Sequence, residues 1–212
     1  MSRRLPVYLI LDTSGSMRGE PIESVNTGLE TLLGALRQDP YALETIHLTV
    51  MTFDREVKTV VPMTALEDVI LPRITTPDSG PTHLGEALGV LARQAASDVR
   101  KGTPEAKGDW APILIVMTDG KPSDLAAFEE NMPRVKSIGF ANIIGCAAGP
   151  KARREDLESF CDTVVTLETM DANMFQSFFK WMTEVIAQGG RSVGSGQKDS
   201  LPPPPVEINV VL

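Results

Sequence analysis

Val7-Tyr8-Leu9-Ile10-Leu11-Asp12-Thr13-Ser14-Gly15-Ser16 decides the fold, because five apolar residues pass without a break into an acidic loop rich in hydroxyls. An unbroken apolar run of this length reads as a strand buried on both faces, the habit of parallel sheets. Ile113-Leu114-Ile115-Val116-Met117 repeats the pattern and runs into Thr118-Asp119-Gly120. Both carboxylates, Asp12 and Asp119, are therefore expected at the carboxyl edge of one parallel sheet, where open α/β sheets bind ligands. A third polar segment, Pro81-Thr82, is likewise expected where a strand ends, just before a helical pattern.

Strand and helix signals alternate along the chain. Ile22, Val25, Leu29, Leu32, Leu33 and Leu36 recur at helical spacing, with Pro21 suited to a first turn, so a helix is expected to about Arg37. Residues 46–53 and 57–61 read as strands joined by the turn Asp54-Arg55-Glu56, hence an antiparallel pair. Residues 62–81 read as a long loop with one short helical candidate at 66–70, and a helix follows Thr82. Further on, helices are predicted over 124–137, 153–160 and 171–187, and strands over 141–147 and 163–166. This order predicts a three-layer, Rossmann-like α/β fold: a mainly parallel central sheet with one antiparallel edge strand and helices on both faces.

Composition shifts at Gly189-Gly190, where Gly, Ser and Lys lead into Pro202-Pro203-Pro204-Pro205. The expected division is a domain over 1–188 and a tail over 189–212, flexible first and then stiffened by polyproline. The last residues alternate enough to form a strand, which leaves open a disordered tail, docking onto the sheet edge, or addition to a partner's sheet.

A chain of 212 residues accommodates one domain that buries roughly 70% of its unfolded surface. Its net charge of -8 argues against a nucleic-acid partner, and the short pairs Arg3-Arg4 and Arg153-Arg154 do not reverse that. Arg3-Arg4 precede only a strand-length apolar run, unlike a secretory leader, and no window approaches a membrane span. A cytoplasmic location is expected. Cys146 and Cys161 read as buried reduced thiols, and with His47 and His83 they do not form a zinc cluster at usual spacing.

The chemistry of the three loops is that of a hard cation. Carboxylate and hydroxyl oxygens suit magnesium, which takes six oxygens and keeps several waters, whereas His and Cys would suit softer metals. In the spacing of Asp12, Ser14 and Ser16, a tightly curled loop turns three oxygens toward one point, and Gly15 is expected to ease the curl by tolerating positive φ. A helix N-cap cluster is the plainer reading of these residues, but capping needs only one of them. Met17, Arg18 and Glu20 are expected to line the same face, His83 to lie at its rim or on the surface, and Lys121 to stand close behind Asp119.

Taken together, the D-x-S-x-S loop, the threonine and the TDG turn resemble the metal-ion-dependent adhesion site of von Willebrand factor type A domains, over nearly the whole chain. The resemblance implies that Asp12, Ser14, Ser16, Thr82 and Asp119 converge on one divalent cation, magnesium first, with manganese or calcium as alternatives. It implies that Ser14 and Ser16 bind the ion directly while Asp12 and Asp119 often act through waters. An open position would then accept a carboxylate from a protein partner, and Thr82 would approach the metal as the ligand-bound form is reached, with Ser79-Gly80-Pro81 as a hinge. The short chain and Pro-rich end are similar, more narrowly, to TerY-type proteins of bacterial tellurium-resistance operons. That likeness implies a stress-response setting with phosphatase-like or kinase-like partners.

The expected function is thus a metal-dependent protein interaction module and not an enzyme. The alternative is a magnesium-dependent phosphatase or phosphotransferase with Asp12 as nucleophile. In haloacid-dehalogenase-type phosphatases a second acid follows the nucleophile by two positions, and here that position is Ser14. A third reading makes the cation purely structural, in which case removing it would unfold the domain.

Overall fold

The computed structural model describes residues 3–192, 201–206 and 208–211. β1 (Leu5–Asp12) is buried at every position, and its side chains alternate between two cores. Leu5, Val7, Leu9 and Leu11 face one helical layer, while Tyr8 and Ile10 face the other. This period of two, apolar on both sides, is what a central strand needs.

Around β1 stand β2 (Ile46–Phe53), β3 (Val57–Ala65), β4 (Ile113–Thr118), β5 (Asn142–Ala148), β6 (Thr163–Leu167) and β7 (Asn209–Val211), in the order β3-β2-β1-β4-β5-β6-β7. The five inner strands are parallel, and β3 and β7 run antiparallel at the two edges. α1 (Glu20–Arg37), α2 (Pro40–Thr45) and α6 (Ala172–Ser192) cover one face. The other carries α3 (Leu84–Asp98), α4 (Leu125–Lys136) and α5 (Arg154–Glu158). The chain leaves β1 toward β2 on one side and returns to β4 on the other, so the strand order reverses at β1/β4 and opens a crevice at their carboxyl ends.

Several sequence expectations need amending. β3 continues through Pro62 to Ala65; an edge strand tolerates a proline, and the β2/β3 register slips nearby. The helical candidate at 66–70 is a single 3-10 turn, Leu66–Asp68. α2 was not anticipated, since six residues are too few to show periodicity, although Asp39 caps it and Pro40 opens it. Two edges are antiparallel where one was expected. α6 runs past Gly189 to Ser192, and the chain that follows returns to the body: Trp181 Nε1 donates to the Pro202 carbonyl at 2.9 Å, Ile208 is buried, and β7 pairs with β6. Residues 193–200, most of the Gly/Ser stretch, lie outside the described residues.

The arginine pair at the start is committed within the fold. Arg4 grips both carboxylate oxygens of Asp109, at 2.9 and 2.6 Å, and donates to the Asp98 carbonyl. The Arg3 guanidinium stacks 3.4 Å over Trp110. Both therefore hold the loop between α3 and β4 against the first strand, at the end of the sheet opposite Asp12.

Candidate metal centre

Register delivers the two carboxylates to one place. Leu11 pairs with Met117 across β1 and β4, so Asp12 comes level with Thr118 and Asp119 begins the next loop. The Thr118 hydroxyl donates to Asp12 Oδ2 at 2.6 Å, and the Ser14 amide donates to Asp12 Oδ1 at 2.7 Å. Ser16 Oγ donates to Asp119 Oδ1 at 2.9 Å and lies 3.2 Å from Ser14 Oγ. Hydrogen-bond contacts thus link Asp12, Ser14, Ser16 and Asp119 in sequence. Ser14 occupies the N-cap position of the 3-10 turn Gly15–Met17 but makes no side-chain cap bond, so its hydroxyl is not spent on capping.

Gly15 matters for a different reason than the sequence suggested. Positive φ among the described residues belongs to Gly19, Gly139 and Gly149. A Cβ on Gly15 would instead come within 2.9 Å of Ser79 Cα, so glycine lets the 79–80 backbone lie directly over the first loop. Thr82 joins the group from that side. A Cβ on Gly120 would meet Thr82 Oγ1 at 3.2 Å, which sets the threonine hydroxyl against the Asp119-Gly120 turn. All five candidate residues are therefore gathered at the β1/β4 crevice.

Burial makes the site electrostatically demanding. Asp12 is 0% and Asp119 2% exposed, and no lysine or arginine forms an ion pair with either among the described residues. Burial raises the Asp12 carboxyl to about 6; bonds from Thr118 and Ser14 oppose the rise, and the neighbouring Asp119 charge adds to it. Asp119 is raised too, by burial, against bonds from Ser16 and Ser14 and the positive charge of Lys151. Two adjacent buried carboxylates lacking a contacting counter-ion fit a divalent cation. Among the described residues no three His, Cys, Asp or Glu side chains gather at one point, so the donor set is hard oxygen from two carboxylates and several hydroxyls. Ser16 is exposed while Asp12, Ser14, Thr82 and Asp119 are buried, which puts Ser16 on the solvent side of the group.

The rim differs from expectation in detail. Met17 is buried in the core and does not line the surface. Arg18 is exposed and pairs with Asp78 at 2.9 Å, tying the first loop to the segment before Thr82. His83 Nδ1 lies 3.2 Å from the Arg55 carbonyl. Lys151, after β5, is the cation acting on Asp119; nothing in the linear sequence joins it to the site. Thr118, part of the TDG turn, proves to be the hydroxyl that orients Asp12.

Comparison with known proteins agrees with this fold. The family model for the von Willebrand factor type A domain matches residues 7–180. Similar solved structures include proximal thread matrix protein 1 from the mussel byssus with a zinc-occupied MIDAS motif, at 17% identity and TM-score 0.64, covering 88% of this chain and 48% of that one. BatB from Bacteroides thetaiotaomicron, a conserved hypothetical protein, matches at 17% identity and TM-score 0.61, covering 89% of this chain and 100% of that one. The pilus adhesin SpaC from Lactobacillus rhamnosus GG matches at 12% identity and TM-score 0.68, covering 87% and 31%. The chain spans about half the length of the first of these similar structures. No curated protein matches it.

Proposed function

This chain belongs to the von Willebrand factor type A domain family, and on that footing we propose that it is a metal-dependent protein interaction module. Asp12, Ser14, Ser16, Thr82 and Asp119 hold a divalent cation, magnesium first among the candidates. The ion supplies an electrophilic centre for a carboxylate of the partner. The observation that carries this reading is the pair of adjacent buried carboxylates that form no ion pair among the described residues, beside the exposed Ser16. That a protein of the same fold holds zinc in its MIDAS motif supports a divalent ion and adds zinc to the metals to be compared. The likeness to TerY-type proteins supports a cytoplasmic role in tellurium resistance or stress response, with phosphatase-like or kinase-like proteins as partners.

Calorimetry with magnesium on the wild type and on Asp12→Ala tests the site. Binding by the first and none by a folded second is expected, because Asp12 ends its strand and its buried charge is a cost to the metal-free fold; equal affinity would place the ion elsewhere. Capture of a partner that is lost with chelator and with Asp12→Ala tests the function. Magnesium-dependent hydrolysis of a generic phosphoester, abolished in Asp12→Ala, would favour the phosphotransfer alternative. Unfolding of the domain on chelation would make the ion structural.

A further inference from the structure

The segment carrying Thr82 is fastened to the segment carrying Asp119 by bonds that run between the two segments and not within either helix. Ser123 Oγ accepts from the Thr82 amide at 3.0 Å, and the Ser123 amide donates to the Thr82 carbonyl at 2.8 Å. One residue thus takes both backbone polar groups of the threonine. Asp124 stands at the N-cap position of α4 yet makes no side-chain cap to that helix. Its carboxylate reaches across to α3, accepting from the amides of Gly85 at 3.0 Å and Glu86 at 2.7 Å. His83, at the N-cap of α3, offers no side-chain cap. The first-turn donors of α3 are therefore met from the Asp119 loop, at the expense of α4.

Packing makes the same join rigid. A Cβ on Gly85 would lie 2.2 Å from the Phe128 backbone nitrogen, so the first turns of α3 and α4 touch backbone to backbone. On its other side the Thr82 segment is held by His83, whose amide donates to the Asp54 carbonyl at 3.0 Å. The Asp54 carboxylate in turn accepts from Thr13 Oγ1 at 3.0 Å in the first loop. All three ligand-bearing segments are thereby bound into one body.

We propose that Ser123 and Asp124 are positioning residues that fasten Thr82 to the Asp119 turn, so that the cation meets its threonine already in place. This rests on the metal site proposed above. In place of a threonine that arrives with the partner, as the family resemblance implies, Thr82 is a standing member of the site. Its partners in the outer shell are two residues that touch no metal ligand atom themselves. Outer-shell groups of this kind typically contribute about 10- to 100-fold in metal affinity.

The test is a magnesium titration by calorimetry of the full chain carrying Ser123→Ala, Asp124→Asn, Thr82→Ala, and each of the first two combined with Thr82→Ala. Ser123→Ala and Asp124→Asn are each expected to weaken magnesium binding about tenfold, and Ser123→Thr, which keeps the hydroxyl, to restore it. In the Thr82→Ala background neither is expected to weaken binding further, because both act through that residue. A merely structural role would lower the melting temperature and leave magnesium affinity alone, or would weaken binding equally in both backgrounds; either result overturns the proposal. Wild type and Asp12→Ala binding magnesium alike would overturn the site reading itself, and this inference with it.

Discussion

Replacing Asp12 by asparagine isolates what the buried carboxylate costs the metal-free protein. Its folded-state value of about 6 lies above the ordinary 3.8, so folding favours the protonated acid. The stability this provides is fully present below the unfolded value and is lost as pH rises through the folded one. A difference of that size corresponds to about 3 kcal/mol, lost mostly between about pH 4 and pH 7. Asparagine has the shape of the protonated acid and retains one acceptor and one donor for the Ser14 amide and the Thr118 hydroxyl. Urea unfolding across pH in the presence of chelator should therefore show the two proteins converging in acid. At neutral pH the variant should be the more stable by about 3 kcal/mol. Magnesium at about 100 times its Kd should return about 2.7 kcal/mol to the wild type and nothing to the variant. A wild type minus variant difference that did not change with pH would refute the description of Asp12 as a buried, uncompensated carboxylate. Equal rescue of both proteins by magnesium would remove the ion from this residue.

Gly85→Ala should cost about 3 kcal/mol in chemical denaturation, because the added methyl meets the Phe128 backbone and not a side chain that can swing away; an unchanged midpoint would show that α3 and α4 separate easily. Ending the chain after Ser192 removes buried Ile208 and the acceptor of Trp181 Nε1. The expected loss is about 3 kcal/mol with magnesium affinity intact; a loss of metal binding would tie the tail to the site. Burial raises both cysteine thiols well above their ordinary value, so buried Cys146 should not react with a thiol reagent until the protein is unfolded in urea, while half-buried Cys161 should react slowly in the native state. Fast native-state labelling of Cys146 would contradict its place in the core.

β1 and β4 were legible because burial on both faces writes itself as an unbroken apolar run, and Ile46–Phe53, interrupted by His47, Thr49 and Thr52, was still found to the residue. Asp12, Ser14, Ser16 and Asp119 could be placed for a related reason, since a polar loop at the end of such a run has one edge of the sheet to occupy; Thr82 follows a long irregular segment, and its place in the candidate set came from the family resemblance. Short elements carried no comparable signal. α2 has too few residues for periodicity, and β3 hides a proline that only an edge position excuses.

What the sequence by itself determined is which residues are strand, helix and loop, and which oxygens lie at strand ends. Those properties depend on neighbours a few positions away, through the periods of two and 3.6. Tertiary structure alone decided that Met17 turns inward, that Gly15 makes room for Ser79, that Lys151 approaches Asp119, and that Asp124 caps α3 instead of its own helix. Each of these joins segments far apart in the chain. Such contacts are set by how helices seat on a sheet and which backbone donors are left unmet there, and no local pattern records them.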